Sequence, residues 1–172
     1  MALRIRPASM LDLPAMAAIK HDAGLAAWSH ILPPAILESL TFLDRWEAAV
    51  GRTDARSGVL VTELDGKVVA FAVTRPSGDA DALSTTGELD GFYADPRVWG
   101  LGAGRALLAE AAAALLEAGF SEATLWTAAQ NHRPRRIYEI AGWRVDGAER
   151  HRSFGGVEFT EVRYRILLRD SP

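Results

Sequence analysis

Apolar and polar positions alternate from the start of the chain. Leu3 and Ile5 stand between Arg4 and Arg6, which predicts a half-buried strand. Beyond Ser9, a residue type that caps helices, Leu13, Met16, Ala17 and Ile19 share one face of a predicted helix beginning near Leu11. Pro33-Pro34 interrupts the pattern. A second helical stretch follows, with Ile36, Leu37, Leu40, Leu43 and Trp46 at helical spacing. Val59 to Leu64 and Lys67 to Thr74 read as strands joined by Asp65-Gly66, a dipeptide suited to the positive φ angles of a tight hairpin turn. A fourth strand is predicted from about Glu88 to Ala94, ended by Asp95-Pro96.

From about Leu101 to Ala118 the pattern turns helical again. Leu107, Leu108, Ala111, Ala112, Leu115 and Leu116 form one stripe, and Gly119 is a natural stop. Ala123 to Thr127 reads as a strand, and Asn131 to Ala141 as a short helix ended by Gly142. Trp143 to about Ala148 and Val157 to Leu168 read as the last two strands. Three adjacent strands followed by strand–helix–strand units predict an α/β (α+β) fold: a mixed central sheet of about seven strands with helices on both faces. No repeat or low-complexity linker interrupts it. The longest loop-like stretch, Pro76 to Gly87, is too short to separate two domains, so one domain over 1–172, with a core of about 3–168, is expected.

Composition narrows the function classes. At 172 residues, the chain has the length of one domain of roughly 100–200 residues. Its 19 basic and 22 acidic residues give net −3, which argues against a nucleic-acid-binding role, since such domains carry a basic surplus. There are no cysteines, which excludes disulfides, thiolate metal sites and an acyl-enzyme thioester. No apolar run approaches the roughly 18 residues of a membrane span, and the N-terminus has no apolar signal core. A cytoplasmic protein without a membrane partner is expected. His21, His30, His132 and His151 are scattered, so no metal site is expected.

The most informative segment is GELDGFYADPRVWGLGAGR, Gly87 to Arg105. A strand ends, Pro96 turns the chain, and Gly100, Gly102 and Gly104 lead into the long helix. Glycines let a backbone approach a ligand closely, and the first N–H groups of a helix lack partners inside it. The segment therefore reads either as a phosphate cradle or as a Gly-rich turn that merely starts a helix. A nucleoside-triphosphate loop would need Gly-Lys-Ser/Thr, but Gly104 is followed by Arg105-Ala106. A dinucleotide fingerprint would need a third Gly where Arg105 or Leu107 stands.

The segment resembles the GCN5-related N-acetyltransferase (GNAT) superfamily. In that family a strand of the form Leu-x-x-aromatic-Tyr-Val-x-Pro leads into Arg/Gln-x-x-Gly-x-Gly/Ala and a helix. Here Leu89-Asp90-Gly91-Phe92-Tyr93-Ala94-Asp95-Pro96 leads into Trp99-Gly100-Leu101-Gly102-Ala103-Gly104. A second signature, Asn followed seven residues later by Tyr and then Gly-Phe/Trp, matches Asn131, Tyr138 and Gly142-Trp143. One position departs: Trp99 stands where the family's loop usually opens with Arg or Gln, with Arg97 nearby.

The resemblance implies acetyl-coenzyme A as co-substrate and a primary amine, of a small molecule or peptide, as acceptor. The loop from Trp99 and Gly100 through Leu101, Gly102, Ala103 and Gly104 to Arg105 would hold the pyrophosphate, mostly through backbone N–H groups. The backbone of Phe92, Tyr93 and Ala94 would pair with the pantetheine arm, and Asn131 would bond the pantetheine or cap its helix. Tyr138 would be the general acid near the sulfur, and Glu88, favoured over Asp90, the general base. A monomer or homodimer is compatible with this. The acceptor would meet the stretches Leu11–Trp28 and Pro34–Val50 and the hairpin at Phe154-Gly155-Gly156; the helical stretches contain Asp12, Asp22, Glu38, Asp44 and Glu47. Trp28 would line the acceptor pocket, whereas Trp46 and Trp126 read as core. Arg133, Arg135 and Arg136 read as a solvated basic helix face. A coenzyme-A-binding regulatory module without catalysis is the alternative.

Overall fold

The computed structural model describes residues 2–39, 43–51 and 54–169; Leu40 and the side chains of Leu43 and Asp44 fall outside the description. Seven strands form one sheet: β1 (Leu3–Pro7), β2 (Gly58–Leu64), β3 (Lys67–Pro76), β4 (Thr86–Ala94), β5 (Glu122–Ala128), β6 (Arg144–Phe154) and β7 (Val157–Leu167), in the order β1-β2-β3-β4-β5-β7-β6. All neighbours are antiparallel except β4 and β5. The helices are α1 (Leu13–Trp28), α2 (Pro34–Ser39), α3 (Leu43–Val50), α4 (Ala103–Glu117) and α5 (His132–Ile140). Among the described residues no helix is long and apolar enough to cross a membrane.

Local sequence explains most boundaries. Asp65 and Gly66 both take positive φ, 49° and 79°, closing the β2–β3 hairpin as the dipeptide predicts. Within the stretch read as helical over 34–50, the described residues are helical at α2 and α3, and residues 40–42 lie outside the description. The first helix starts later than predicted. A 3₁₀ turn at Met10–Asp12 precedes it, and the Asp12 carboxylate reaches back to accept from the Ser9 N–H (2.7 Å) and hydroxyl (3.0 Å). β6 also runs six residues past the predicted end at Ala148. Its outer half is an exposed, charged edge with no apolar alternation to read, and it is built by pairing with β7 across Gly155-Gly156.

Among the described residues two large cores flank the sheet, and Leu32, Leu37, Ala128 and Phe159 form a smaller third cluster. On one face Leu107, Leu108, Ala111 and Leu115 of α4 pack with Leu89, Leu125, Tyr138 and Trp143. On the other, Met16 and Ile19 of α1 and Trp46 of α3 pack on Val61, Phe71 and Val73. The Arg6 guanidinium clamps the first strand to the second core's edge, bonding both Asp12 oxygens at 2.8 Å and Glu63 at 2.6–2.8 Å.

The Arg6 hydrogen bonds hold the Asp12 carboxyl well below the usual carboxylate range, outweighing the opposite effect of burial. A depressed native pKa stabilises the fold above the unfolded-state pKa of about 3.9 and loses that contribution as pH falls below it. The stability gap between wild type and Asp12→Asn, read from urea midpoints, should be full near neutrality and shrink below about pH 4. A gap that stays constant through that range would show that the Asp12 charge is not what stabilises.

Candidate active site

β4 and β5 pair only at Thr86↔Glu122, Gly87↔Ala123 and Glu88↔Thr124. Beyond Glu88 they part. β4 also carries a bulge there: Gly91 faces Val73 and Leu89 faces Thr74, which leaves Asp90 as the extra residue. The wedge between the strands opens into a cleft of about 440 Å³. Ala23, Ala27 and Trp28 of α1 line it from one face of the sheet, and Ile137 and Tyr138 of α5 from the other.

The wedge exposes a strand edge. The Asp95 N–H returns to Val69 on β3 (2.8 Å), so by alternation the polar groups of Tyr93 also face β3, whereas those of Phe92 and Ala94 face the opening. The Tyr93 side chain stacks on Phe71, 5.0 Å between centroids, in the second core. The Ala94 carbonyl already accepts from Trp99 Nε1 at 2.9 Å.

The glycine loop closes one end. The Asp95 carboxylate caps the 3₁₀ turn Pro96–Val98 and holds the Arg97 guanidinium at 2.6–3.0 Å, so Arg97 is neutralised locally. Gly100 and Gly102 adopt φ of 87° and 92°, a region unfavourable to side-chain-bearing residues. The Leu101 N–H is spent on Val98 O (3.2 Å), which removes it from the predicted cradle. The N–H groups of Gly102, Ala103, Gly104 and Arg105 find no acceptor among the described residues, and the first helical bond is Ala106 N–H to Gly102 O. Free donors at a helix N-terminus are groups of the kind that bind anions.

Tyr138 is buried, its ring against Phe92, Trp143 and Tyr164. Burial pushes its phenol pKa up, and its hydroxyl makes no hydrogen bond among the described residues. Asn131 occupies the N-cap position of α5, but its side chain does not cap the helix. Oriented to satisfy its neighbours, the amide donates to the Ala27 carbonyl and accepts from Trp28 Nε1, both at 3.3 Å. Asn131 thus ties α5 to the end of α1.

Despite the bulge, Glu88 and Asp90 share one face, and Arg75 Nη2 bridges them at 2.9 and 3.1 Å. Asp90 lines the cleft; Glu88 sits one step behind it. Burial raises the Glu88 pKa, Arg75 opposes this, and Asp90 and Asp79 reinforce it.

The acetyltransferase (GNAT) family matches residues 19–143, from α1 through the β4–loop–α4 segment to Trp143. The uncharacterized N-acetyltransferase YuaI of Bacillus subtilis is 31% identical over 157 residues, 82% of this chain and 87% of that protein. The ribosomal-protein-alanine N-acetyltransferase structure from Brucella melitensis superposes with a TM-score of 0.78 at 26% identity, covering 96% of this chain and 99% of that one. The PaiA N-acetyltransferase of Thermoplasma acidophilum, solved with coenzyme A, also gives 0.78, at 19% identity, covering 94% of this chain and 98% of that one. This chain belongs to the acetyltransferase (GNAT) family.

Within this GNAT chain the structure also shows residues that sequence reading missed. Trp126 is not core. It lines the cleft, donates from Nε1 to Asp79 at 2.9 Å and lies 4.2 Å beneath the Arg150 guanidinium. Asp79 is fixed in turn by buried Arg163, which also holds Asp81 and Asp146 and so pins the 77–85 loop to β7 and β6. Nothing local in Trp126 or Arg163 signals these partners, which are tens of residues away in sequence. Of the residues expected to wall the acceptor, Trp28 reaches the cleft, whereas Asp12 is committed to Arg6; beyond those stretches, His30 Nε2 is 3.0 Å from Gln130 O.

The two loop glycines differ in what they require. Gly102→Ala forces a side chain into left-handed backbone and should cost about 1–2 kcal/mol. Gly104 lies in α4, and an added Cβ meets only Phe92 Cζ at 3.5 Å, an ordinary contact. Gly104→Ala should therefore be neutral or stabilising by up to about 1 kcal/mol. Urea midpoints of the two variants decide this; equal losses would mean that close packing, not backbone conformation, selects both glycines.

Proposed function

We propose that this chain transfers an acetyl group from acetyl-coenzyme A to a primary amine, directly, with both substrates bound together. The observation that carries this reading is the cleft itself. It passes through the sheet where β4 leaves β5, and it puts the residues with free N–H groups Gly102, Gly104 and Arg105, an unpaired phenol and a carboxylate wall on one continuous space. The donors at the α4 N-terminus suit the pyrophosphate, and the open edge at Phe92 and Ala94 suits the amides of the pantetheine arm. The Thermoplasma neighbour binds coenzyme A, and the name of the Brucella neighbour places its acceptor on a ribosomal-protein alanine. The chain has no cysteine to carry the acetyl group, which favours direct transfer.

In this reading the amine nitrogen bonds to the acetyl carbon and the carbon–sulfur bond breaks. The proton lost by the incoming ammonium goes to Glu88 through an intervening water, since Asp90 stands between Glu88 and the cleft. The raised Glu88 pKa, caused by burial, makes it a better base near neutrality than an ordinary carboxylate. Tyr138 stays protonated at working pH and donates to the departing sulfur, and the second proton, shed by the nitrogen as the amide forms, restores the phenol. Coenzyme release assayed over a panel of amines tests the reading. Binding without release for any amine would leave a coenzyme-binding module instead.

Tyr138→Phe should lower kcat by roughly 10²–10⁴-fold with little change in KM for the coenzyme. A variant at wild-type kcat, with chemistry rate-limiting, would leave Tyr138 as packing alone.

Glu88→Gln should lose kcat/KM at about pH 7 and recover part of it near pH 9–10, where the amine itself, of pKa about 10, deprotonates. Asp90→Asn should lose less, without that recovery. The pH–rate profiles decide, and the steep, alkali-rescued loss in Asp90→Asn alone would reverse the assignment.

A further inference from the structure

The three arginines at the start of α5 have three different fates. Arg135 turns inward, donating to the Tyr164 hydroxyl (2.9 Å) and the Ala129 carbonyl (2.6 Å), so the predicted solvated face fails there. Arg136 lies exposed outside the cleft. Arg133 lines the cleft, and its guanidinium carbon sits 4.1 Å from the centroid of the Trp99 ring.

That stack is built on a fixed platform. Trp99 is half-buried and anchored by its indole N–H on the Ala94 carbonyl, beside the glycine loop. Arg133 makes no ion pair or hydrogen bond among the described residues. Stacking holds a guanidinium by its face and leaves its five N–H donors, which lie in the plane, unspent. Arg97 is consumed by Asp95, and the other cation lining this end is Arg105, exposed at the start of α4 without a stacking partner among the described residues. The cleft wall at this end therefore presents a guanidinium oriented by stacking, next to the free backbone N–H groups of the α4 N-terminus. That combination suits a phosphate, which Arg reads in bidentate fashion.

We infer that Arg133, positioned by Trp99, is a phosphate-binding side chain of this cleft and takes up a phosphate of the coenzyme. This rests on the coenzyme reading proposed above. The pyrophosphate and the 3′-phosphate share the required chemistry, and the ligands of the test separate them.

The test is calorimetric titration of the full chain with coenzyme A and with 3′-dephospho-coenzyme A, at two salt concentrations. Arg133→Gln, an exposed substitution, should weaken coenzyme A binding about tenfold or more and flatten its salt dependence, as loss of one charged hydrogen bond requires. If the dephospho ligand shows the same loss, Arg133 serves the pyrophosphate; if the loss disappears with it, the 3′-phosphate. Trp99→Leu keeps the charge but removes the platform, so it should weaken binding by less. In the double variant the Trp99 substitution should add nothing to Arg133→Gln. Wild-type affinity and salt slope in Arg133→Gln overturn the inference while the coenzyme reading stands. Additive losses in the double variant overturn the role of Trp99. Failure of wild type to bind coenzyme A overturns both the inference and the reading beneath it.

Discussion

The parting of β4 from β5 after a three-residue parallel contact is the constraint on which the rest depends. A strand edge inside a protein is costly because its N–H and C=O groups want partners. Here the cost falls at Phe92 and Ala94, whose polar groups face the wedge. The sheet tolerates it because each half has its own hold. β4 stays zipped to β3 through the bulge at Asp90, and β5 stays paired with β7 from Glu122 to Ala128. The two cores then press from opposite faces, with α4 spanning toward β3 and β2 on one and α1 lying over β3 and β4 on the other. The opening is thus a feature of topology, and the side chains around it have only to be aimed.

How they are aimed separates what the sequence reveals from what it hides. Gly100, Gly102 and the stripe of α4 are legible because each reports a local requirement, a positive φ or a buried helix face, whereas Asn131 and Tyr138 stand out only through the family resemblance. The Asp90 bulge was not legible, because it is a property of the register against β3 and no residue type demands it. The same holds for Arg75 bridging Glu88 and Asp90, for Trp126 turned to the cleft, and for Asn131 tied to α1 instead of capping its own helix. These contacts join segments whose pairing only the folded sheet decides. β6 failed for another reason: an edge strand with charges on both sides has no period-two apolar signal to read.

Charge is distributed around the wedge in a consistent way. On the carboxylate side, every acid near Trp126 is met by an arginine: Arg75 for Glu88 and Asp90, Arg163 for Asp79, Asp81 and Asp146. Arg163 is itself buried, so leaving it unpaired would be severely destabilising; its three carboxylates are a structural necessity before they are anything else. Glu88 is the exception in this group. Its one arginine does not outweigh its burial, and its pKa rises where that of Asp81 falls to about 2. Burying such an acid costs the fold stability and makes it a stronger base than an ordinary carboxylate, a condition that reactive positions share with structural ion-pair networks.

The two sides of the wedge are also linked to each other. Asn131 holds Ala27 and Trp28, and His30 meets the Gln130 carbonyl, so the end of α1 is fastened to the turn that leads from β5 into α5. Trp28 in turn packs edge-on against Phe159 of β7. Through these contacts the wall that an acceptor would meet is set by the same turn that positions Tyr138. A displacement of α1 large enough to widen the cleft would have to break the Asn131 bonds and leave a buried amide unsatisfied, which costs about 1–3 kcal/mol for each lost group. In the proposed reading, acceptor size would be governed by the fixed spacing of Trp28, Trp126 and Asp90 around the opening, while the donor end, with its positive-φ glycines and stacked Arg133, would be governed by backbone conformation in the loop.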